Sequence, residues 1–139
     1  MIFSIIVPVF NEEKTVISIL KELKKVNFKK FEKEIIVIDD GSTDNTKNLL
    51  ENNKDLFNSL HANEENKGKG SAVRLGLKNA SGQYIVFQDA DLEYDPNDYE
   101  VLIEPVKKFN ADLVIGSRLT GPKITRTSYF YHKLGNIFI

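Results

Sequence analysis

The sequence predicts an α/β protein built on a mainly parallel sheet with helices on both faces. Three observations predict it. Short continuous apolar runs rich in β-branched residues occur at 5–9, 35–38, 84–87 and 113–115, with a weaker one at 57–61. Between them lie segments with apolar residues at helical spacing. The two kinds of segment alternate along the whole chain. A continuous apolar run marks a strand buried on both faces, and strand–helix alternation is the signature of right-handed βαβ units. At 139 residues the length fits one domain, and 41% hydrophobic with 28% charged residues fits an ordinary globular protein with a sizeable core.

In chain order, the first strand (5–9) is followed by a helix through Val16, Ile19, Leu20 and Leu23. Their i, i+3, i+4, i+7 spacing puts one apolar stripe on one face. The second strand (35–38) leads to a helix carrying Leu49 and Leu50. The weak strand at 57–61 leads to one carrying Val73 and Leu77. The strand at 84–87 leads to one carrying Leu102, Val106 and Phe109. Pro105 lies inside this last pattern and is expected to kink or split it, since proline lacks the backbone donor and clashes with the preceding turn. A fifth strand is expected at 113–115. The closing stretch, 128–139, is rich in Tyr, Phe and Ile. It reads either as a helix packed on this domain or as a segment meeting a membrane, another subunit or further polypeptide.

Charge and composition exclude several classes. The formal net charge is −1, so no global basic field draws nucleic acid or an anionic membrane. With no cysteine there is no disulfide framework, thiolate nucleophile or zinc–thiolate site. No apolar run approaches the ~18 residues a spanning helix needs. A start without the basic region of a signal peptide makes a cytoplasmic location the expectation. His61 and His132 are widely separated and show no metal-ligand spacing.

Ligands of open parallel sheets bind outside the carboxyl ends of the strands. The residues after each run are therefore the informative ones, and here they are acidic. Asp89-Ala90-Asp91 places two carboxylates one residue apart where the chain begins to turn, with Glu93 as a third contributor. Such hard oxygen donors suit Mg²⁺ or Mn²⁺ bridging substrate phosphates. Asp95-Pro96 reads instead as an N-cap followed by proline at the first helical position. Asp39 and Asp40 end the second strand as an adjacent, mutually repelling pair, for which a ligand donating N–H or O–H groups would compensate. In the following turn Ser42 or Thr43 reads as an N-cap, with Asp44 complementing the helix dipole. Asn66-Lys67-Gly68-Lys69-Gly70-Ser71 opens the third helix with glycines and a cationic helix start that read either as a phosphate-side contact through Lys67 or Lys69 or as an unliganded solvated loop. Its spacing fails both the Walker A and the dinucleotide patterns. Arg118, after the fifth strand, can clamp a diphosphate through its planar fork or pair with a neighbouring acid.

Taken in order, Pro8-Val9-Phe10-Asn11-Glu12-Glu13, Asp39-Asp40-Gly41-Ser42-Thr43-Asp44, Asn66-Lys67-Gly68-Lys69-Gly70, Asp89-Ala90-Asp91-Leu92-Glu93 and Gly116-Ser117-Arg118 resemble the family 2 glycosyltransferases of GT-A, Rossmann-like fold. The subgroup resembled is the polyprenyl-phosphate sugar transferases, such as dolichol-phosphate mannose and glucose synthases. The resemblance implies a sugar nucleotide bound across the strand ends and inverting, metal-dependent transfer of a hexose to a polyprenyl or dolichyl phosphate. It places Pro8, Phe10, Glu12, Ile38 and Asp40 around the nucleotide, with Asp40 near the base. Asp89 and Asp91 match the DxD motif, with Ala90 between them, that holds the metal and the sugar diphosphate; Glu93 is the further metal contributor. Arg118 matches the arginine near the phosphates, so Asp91 and Arg118 are the expected catalytic residues. Glu93 stands where mannosyl members commonly have Gln, which leaves UDP-glucose beside GDP-mannose as donor. Phe10 replaces a frequent tyrosine, keeping the ring face without the hydroxyl. Arg126 is a lesser candidate for the acceptor phosphate.

On this reading residues 1–127 form the nucleotide-sugar-binding domain and 128–139 begin an acceptor or membrane-facing region. The partners are a sugar-nucleotide donor and a polyprenyl-phosphate acceptor, with peripheral membrane contact or self-association through the last segment and no nucleic acid. The location implied is the cytoplasm or the cytoplasmic face of a membrane. Two rivals differ in kind. A receiver-like signalling module would carry its acids after the first and third strands and a lysine after the fifth, which this chain does not. A donor-binding domain without transferase activity of its own would share every motif described.

Overall fold

The structure is a computed structural model that describes residues 1–28 and 31–116. The chain divides into two compact units, Met1–Glu100 and Val101–Ile139. In the first unit the elements are β1 (Ile2–Val9), α1 (Val16–Lys25), β2 (Glu32–Asp39), α2 (Thr46–Glu51), a 3₁₀ turn at Lys54–Leu56, β3 (Ser59–Ala62), α3 (Lys69–Asn79), β4 (Tyr84–Phe87) and a 3₁₀ turn at Pro96–Asp98. The helix α4 (Tyr99–Phe109) begins as this unit ends.

The four strands form one parallel sheet of order β3-β2-β1-β4. Steps from β1 to β2 to β3 run one way along the sheet, and the step to β4 returns past β1. Right-handed crossovers then place α1 and α2 on one face and α3 on the other. The side chains follow this plan. Ile6, Ile36, Ile38 and Ala72 form a buried cluster, with Leu75, Ala80 and Ile85 packed on it. Ile5, Val7, Ile35 and Val37, one step out of phase, are buried on the opposite face, where Phe3 stacks on Phe28 at 5.4 Å and on Tyr84 at 5.1 Å.

Helix α1 buries Val16, Ile19, Leu20 and Leu23, the stripe its spacing predicts. Its carbonyl end is closed by Lys33, whose Nζ donates to the carbonyls of Leu23 (2.7 Å), Lys24 (2.8 Å) and Val26. Helix α3 departs from its prediction: Ala72 and Gly76 are the buried residues, whereas Leu77 is 45% exposed. The reason is closeness. A Cβ at Gly76 would sit 2.4 Å from Ile6 Cγ2, so the face without bulky side chains is the one that fits against β1.

A further expectation fails. Residues 113–115 form no strand, and Leu113 and Ile115 are 76% and 80% exposed. An apolar run becomes a strand only when a neighbour supplies hydrogen bonds, and these residues join no ladder among the described strands. Pro105 does not split its helix, because α4 is continuous from Tyr99 to Phe109. The weak strand lies two residues later than its apolar run, at Ser59–Ala62. Asp95 does cap the next turn, its Oδ1 accepting from Asn97 N (2.9 Å) with Pro96 behind it. No helix among the described residues is long and apolar enough to cross a membrane. Arg118, Arg126 and the segment 128–139 lie outside the described residues.

Candidate functional site

The sheet reverses its winding between β1 and β4, and at the carboxyl end of such a switch the loops splay apart to leave a crevice. An open cleft of about 300 Å³ lies there. It is lined by Pro8, Val9, Phe10 and Glu12 from the end of β1 and by Asp40 from the end of β2. Asn66, Gly68, Lys69 and Ala72 come from the start of α3, and Asp89, Ala90 and Asp91 from the end of β4. Pro8, Phe10, Glu12, Asp40, Lys69, Asp89, Ala90 and Asp91, singled out from sequence, are thus brought to one cavity although 83 residues separate the first from the last. Two others are not. Ile38 is fully buried in the α3-side core, outside the lining, and Glu93 is exposed, also outside it.

The β1 and β2 ends are knitted together. Asn11 takes a left-handed backbone, φ 55°, which asparagine tolerates better than most residues. Its N–H donates to Ser42 Oγ (3.0 Å), and its Oδ1 accepts from Thr43 N (2.8 Å) and Asp44 N (3.3 Å). Glu12 N donates to Thr46 Oγ1 (2.9 Å), and Glu13 N donates to Asp44 Oδ2 (3.2 Å). Ser42 and Thr43 are therefore cross-loop partners and not caps. The cap position of α2 is Asn45, without a side-chain cap bond; Asp44 lies just before it, outside the first turn, and its Oδ1 accepts from Thr46 N at 2.9 Å. Burial raises the Asp44 carboxyl, but hydrogen bonds from Thr46 and Glu13 outweigh it and leave its pKa below the ordinary value.

The adjacent aspartates separate into two roles. Asp39 Oδ1 accepts from Ser42 N (3.0 Å) and is spent on its own turn. Asp40 is 3% exposed, and its Oδ1 accepts from Asn63 Nδ2 (2.6 Å) and Lys67 N (3.2 Å). Gly41 makes this junction possible. At φ 72° it adopts a conformation L residues avoid, and a Cβ there would lie 2.5 Å from the Glu65 carbonyl carbon. Sequence reasoning passed over Asn63 because nothing in its neighbourhood marks it; only the β2–β3 register brings it to Asp40.

The β4 end is built differently. Asp89 Oδ1 pairs with Lys69 Nζ at 2.5 Å, and Asp91 Oδ1 accepts from Glu93 N at 3.0 Å, closing a turn in which Leu92 has φ 64°. Behind them lies Gln88, 1% exposed. Its Nε2 donates to Asp89 O (3.0 Å) and Tyr94 O (3.2 Å), and its Oε1 accepts from Tyr99 Oη. Burial, with the charge of Asp89, holds the Tyr99 phenol well above its ordinary pKa. Among the described residues no group of three or more acidic or histidine side chains gathers to hold a metal alone. Two carboxylates on one short turn nonetheless fit a hard divalent ion that keeps waters and takes phosphate oxygens as further ligands.

A family model, Glycosyl transferase family 2, matches residues 4–136. The chain is 33% identical to a UDP-N-acetylglucosamine–dolichyl-phosphate N-acetylglucosaminyltransferase of Methanococcus voltae, over 96% of this chain and 58% of that protein. It is 35% identical to the dolichyl-phosphate beta-glucosyltransferase ALG5A of Trichomonas vaginalis, over 89% and 42%. Among solved structures it resembles glucosyl-3-phosphoglycerate synthase from Mycobacterium tuberculosis in complex with Mn²⁺, UDP and glucosyl-3-phosphoglycerate. There the identity is 28% and the TM-score 0.61, over 75% of this chain and 39% of that one. The chain spans about half the length of the curated relatives it matches.

Proposed function

The chain belongs to glycosyl transferase family 2, and we propose that its cleft holds the nucleoside diphosphate of a sugar nucleotide whose hexose the protein transfers, with inversion, to a polyprenyl or dolichyl phosphate. One observation carries the reading: Asp40, Lys69, Asp89 and Asp91 converge on a single cleft at the switch of the sheet. Asp40 offers a carboxylate to N–H or O–H donors of a base or ribose, beside the apolar faces of Pro8 and Phe10. Lys69 carries a positive charge to the diphosphate. Asp89 and Asp91 would hold Mg²⁺ or Mn²⁺, with Glu93 closing their turn through its backbone N–H. The metal supplies charge that neutralises the departing diphosphate. The acceptor phosphate is already ionised near neutral pH, with a second pKa near ~6, so no strong base is required. Its oxygen forms the new bond to the anomeric carbon as the bond to the diphosphate breaks and the electron pair leaves with it. Arg118 is assigned to that diphosphate by the family motif. A lipid acceptor would bring the protein to the cytoplasmic face of a membrane.

Relatives of both nucleotide-sugar and dolichyl-phosphate type support the donor and the acceptor class. A second reading is a domain that binds the donor and transfers nothing, since each residue named in the cleft is assigned to the donor side. Calorimetric titration with UDP and GDP, with and without Mn²⁺, tests the donor site. One nucleotide is expected to bind in a Mn²⁺-dependent way, and Asp91→Ala to lose about 100-fold or more of that affinity. Failure of both nucleotides to bind sinks the donor site. A radiolabelled transfer assay to polyprenyl phosphate then separates the enzyme from the binder.

A further inference from the structure

We propose that Gln88 and Tyr99 are positioning residues for the metal and diphosphate end of the cleft, a role that rests on the donor-site reading above. The loop carrying Asp89 and Asp91 is tied to the sheet through Gln88. Its backbone N–H makes the last rung of β4 on β1, to Ile6 O at 3.0 Å. Its two amide hydrogens reach Asp89 O and Tyr94 O, one at each end of the turn that holds both carboxylates. A primary amide can present either its oxygen or its nitrogen to these carbonyls, and only the nitrogen binds them. The two carbonyls fix Nε2 toward the loop, and the Tyr99 hydroxyl satisfies and holds the opposite end of the amide by donating to Oε1.

Tyr99 is itself fixed. It is 5% exposed and lies 5.9 Å from Phe28, whose ring stacks on Phe3 of β1. The chain of contacts therefore runs from the sheet core through an aromatic ring and an amide to the two loop carbonyls. Loosening it frees the spacing of Asp89 from Asp91 without touching either carboxylate. Groups of this kind, bonded behind the ligands, typically alter metal affinity ~10–100-fold when removed.

The test uses Tyr99→Phe, which deletes one hydroxyl from an unchanged ring, and Gln88→Met, which keeps the volume and deletes the amide. Thermal melting first establishes that each is folded. Calorimetry then measures UDP and GDP with and without Mn²⁺. The expected result is a loss of about tenfold in the Mn²⁺-dependent affinity for Tyr99→Phe and more for Gln88→Met, with metal-free nucleotide affinity within about twofold of wild type. A residue that only stabilised the fold would lower the melting temperature and leave the gain from Mn²⁺ intact. Amide hydrogen exchange supplies a readout that needs no ligand. Exchange over residues 89–94 should quicken in Gln88→Met while β1 stays protected. If wild-type protein binds neither nucleotide, the donor-site reading fails and takes the positioning role with it, whatever the exchange shows. If wild type binds and both variants keep the full Mn²⁺ gain, or exchange at 89–94 does not change, the donor site stands and the positioning role is overturned.

Discussion

The two sides of the cleft are held in opposite ways. On the β1–β2 side, polar side chains meet partners from another loop: Asn11 with Ser42, Thr43 and Asp44, Glu12 with Thr46, and Asp40 with Asn63 and Lys67. On the β4 side, Asp91 accepts from Glu93 N within its own turn, Asp89 meets a lysine that is 63% exposed, and the buried Gln88 amide bonds the loop carbonyls. The first side is organised before any ligand arrives. The second carries charge on a half-buried Asp89 whose present partner, Lys69, is exposed and can be exchanged for a ligand. A half locked by cross-loop bonds beside a half with an exchangeable ion pair suits the nucleoside diphosphate proposed above.

The largest effect should come from breaking the rigid half. Gly41→Ala adds a Cβ 2.5 Å from the Glu65 backbone at a residue with φ 72°, and the two penalties together are expected to cost about 3 kcal/mol or more of stability. Chemical denaturation reads this directly, and a loss under 1 kcal/mol would mean that the two loops are not locked. Next, Lys69→Ala probes the exchangeable half. Stability should change by less than about 0.5 kcal/mol, while affinity for Mn²⁺–nucleotide falls about tenfold for loss of a charged hydrogen bond. Affinity for Mn²⁺ alone should rise, since the competitor for Asp89 is gone. Equal losses in both titrations would show that Lys69 does not exchange.

The smallest effect is a control at the far end of the sheet. Glu34 accepts from Ser4 Oγ, Ser81 N and Oγ, and Gly82 N. Burial raises its carboxyl, but these bonds prevail and lower its pKa. The unfolded chain therefore takes up this proton first as pH falls. The stabilisation is complete above the ordinary carboxylate value near ~4.3 and is lost as pH drops through the lower folded value. Acid unfolding of Glu34→Gln should be less steep between these two values than in wild type, with nucleotide binding at neutral pH unchanged. A mutant as acid-sensitive as wild type would remove Glu34 from the account.

Legibility followed the range of the forces involved. The alternation of apolar runs and the α1 stripe were readable because each depends on residues a few positions apart. The motifs after the strands were readable because a parallel sheet must put its ligands there. The strand expected at 113–115 failed since pairing is a property of two segments, and Leu113 and Ile115 join no ladder among those described. The buried face of α3 was misread since volume, not hydrophobicity, decides which side approaches Ile6. Ser42 and Thr43 looked like caps because a hydroxyl before a helix usually is one, yet Asn11, on a different loop, claims both.

By itself, then, the sequence determined the α/β architecture and the acidic character of the strand ends, because periodicity and residue type act locally. Tertiary structure alone decided which carboxylates share a cleft, which aspartate of the Asp39–Asp40 pair lines it, and that Ile38 lies in the core outside its lining. It also paired Lys69 with Asp89 and set Gln88 behind the loop. Those outcomes depend on strand order and register, which bring together residues the chain keeps far apart and which no single segment encodes.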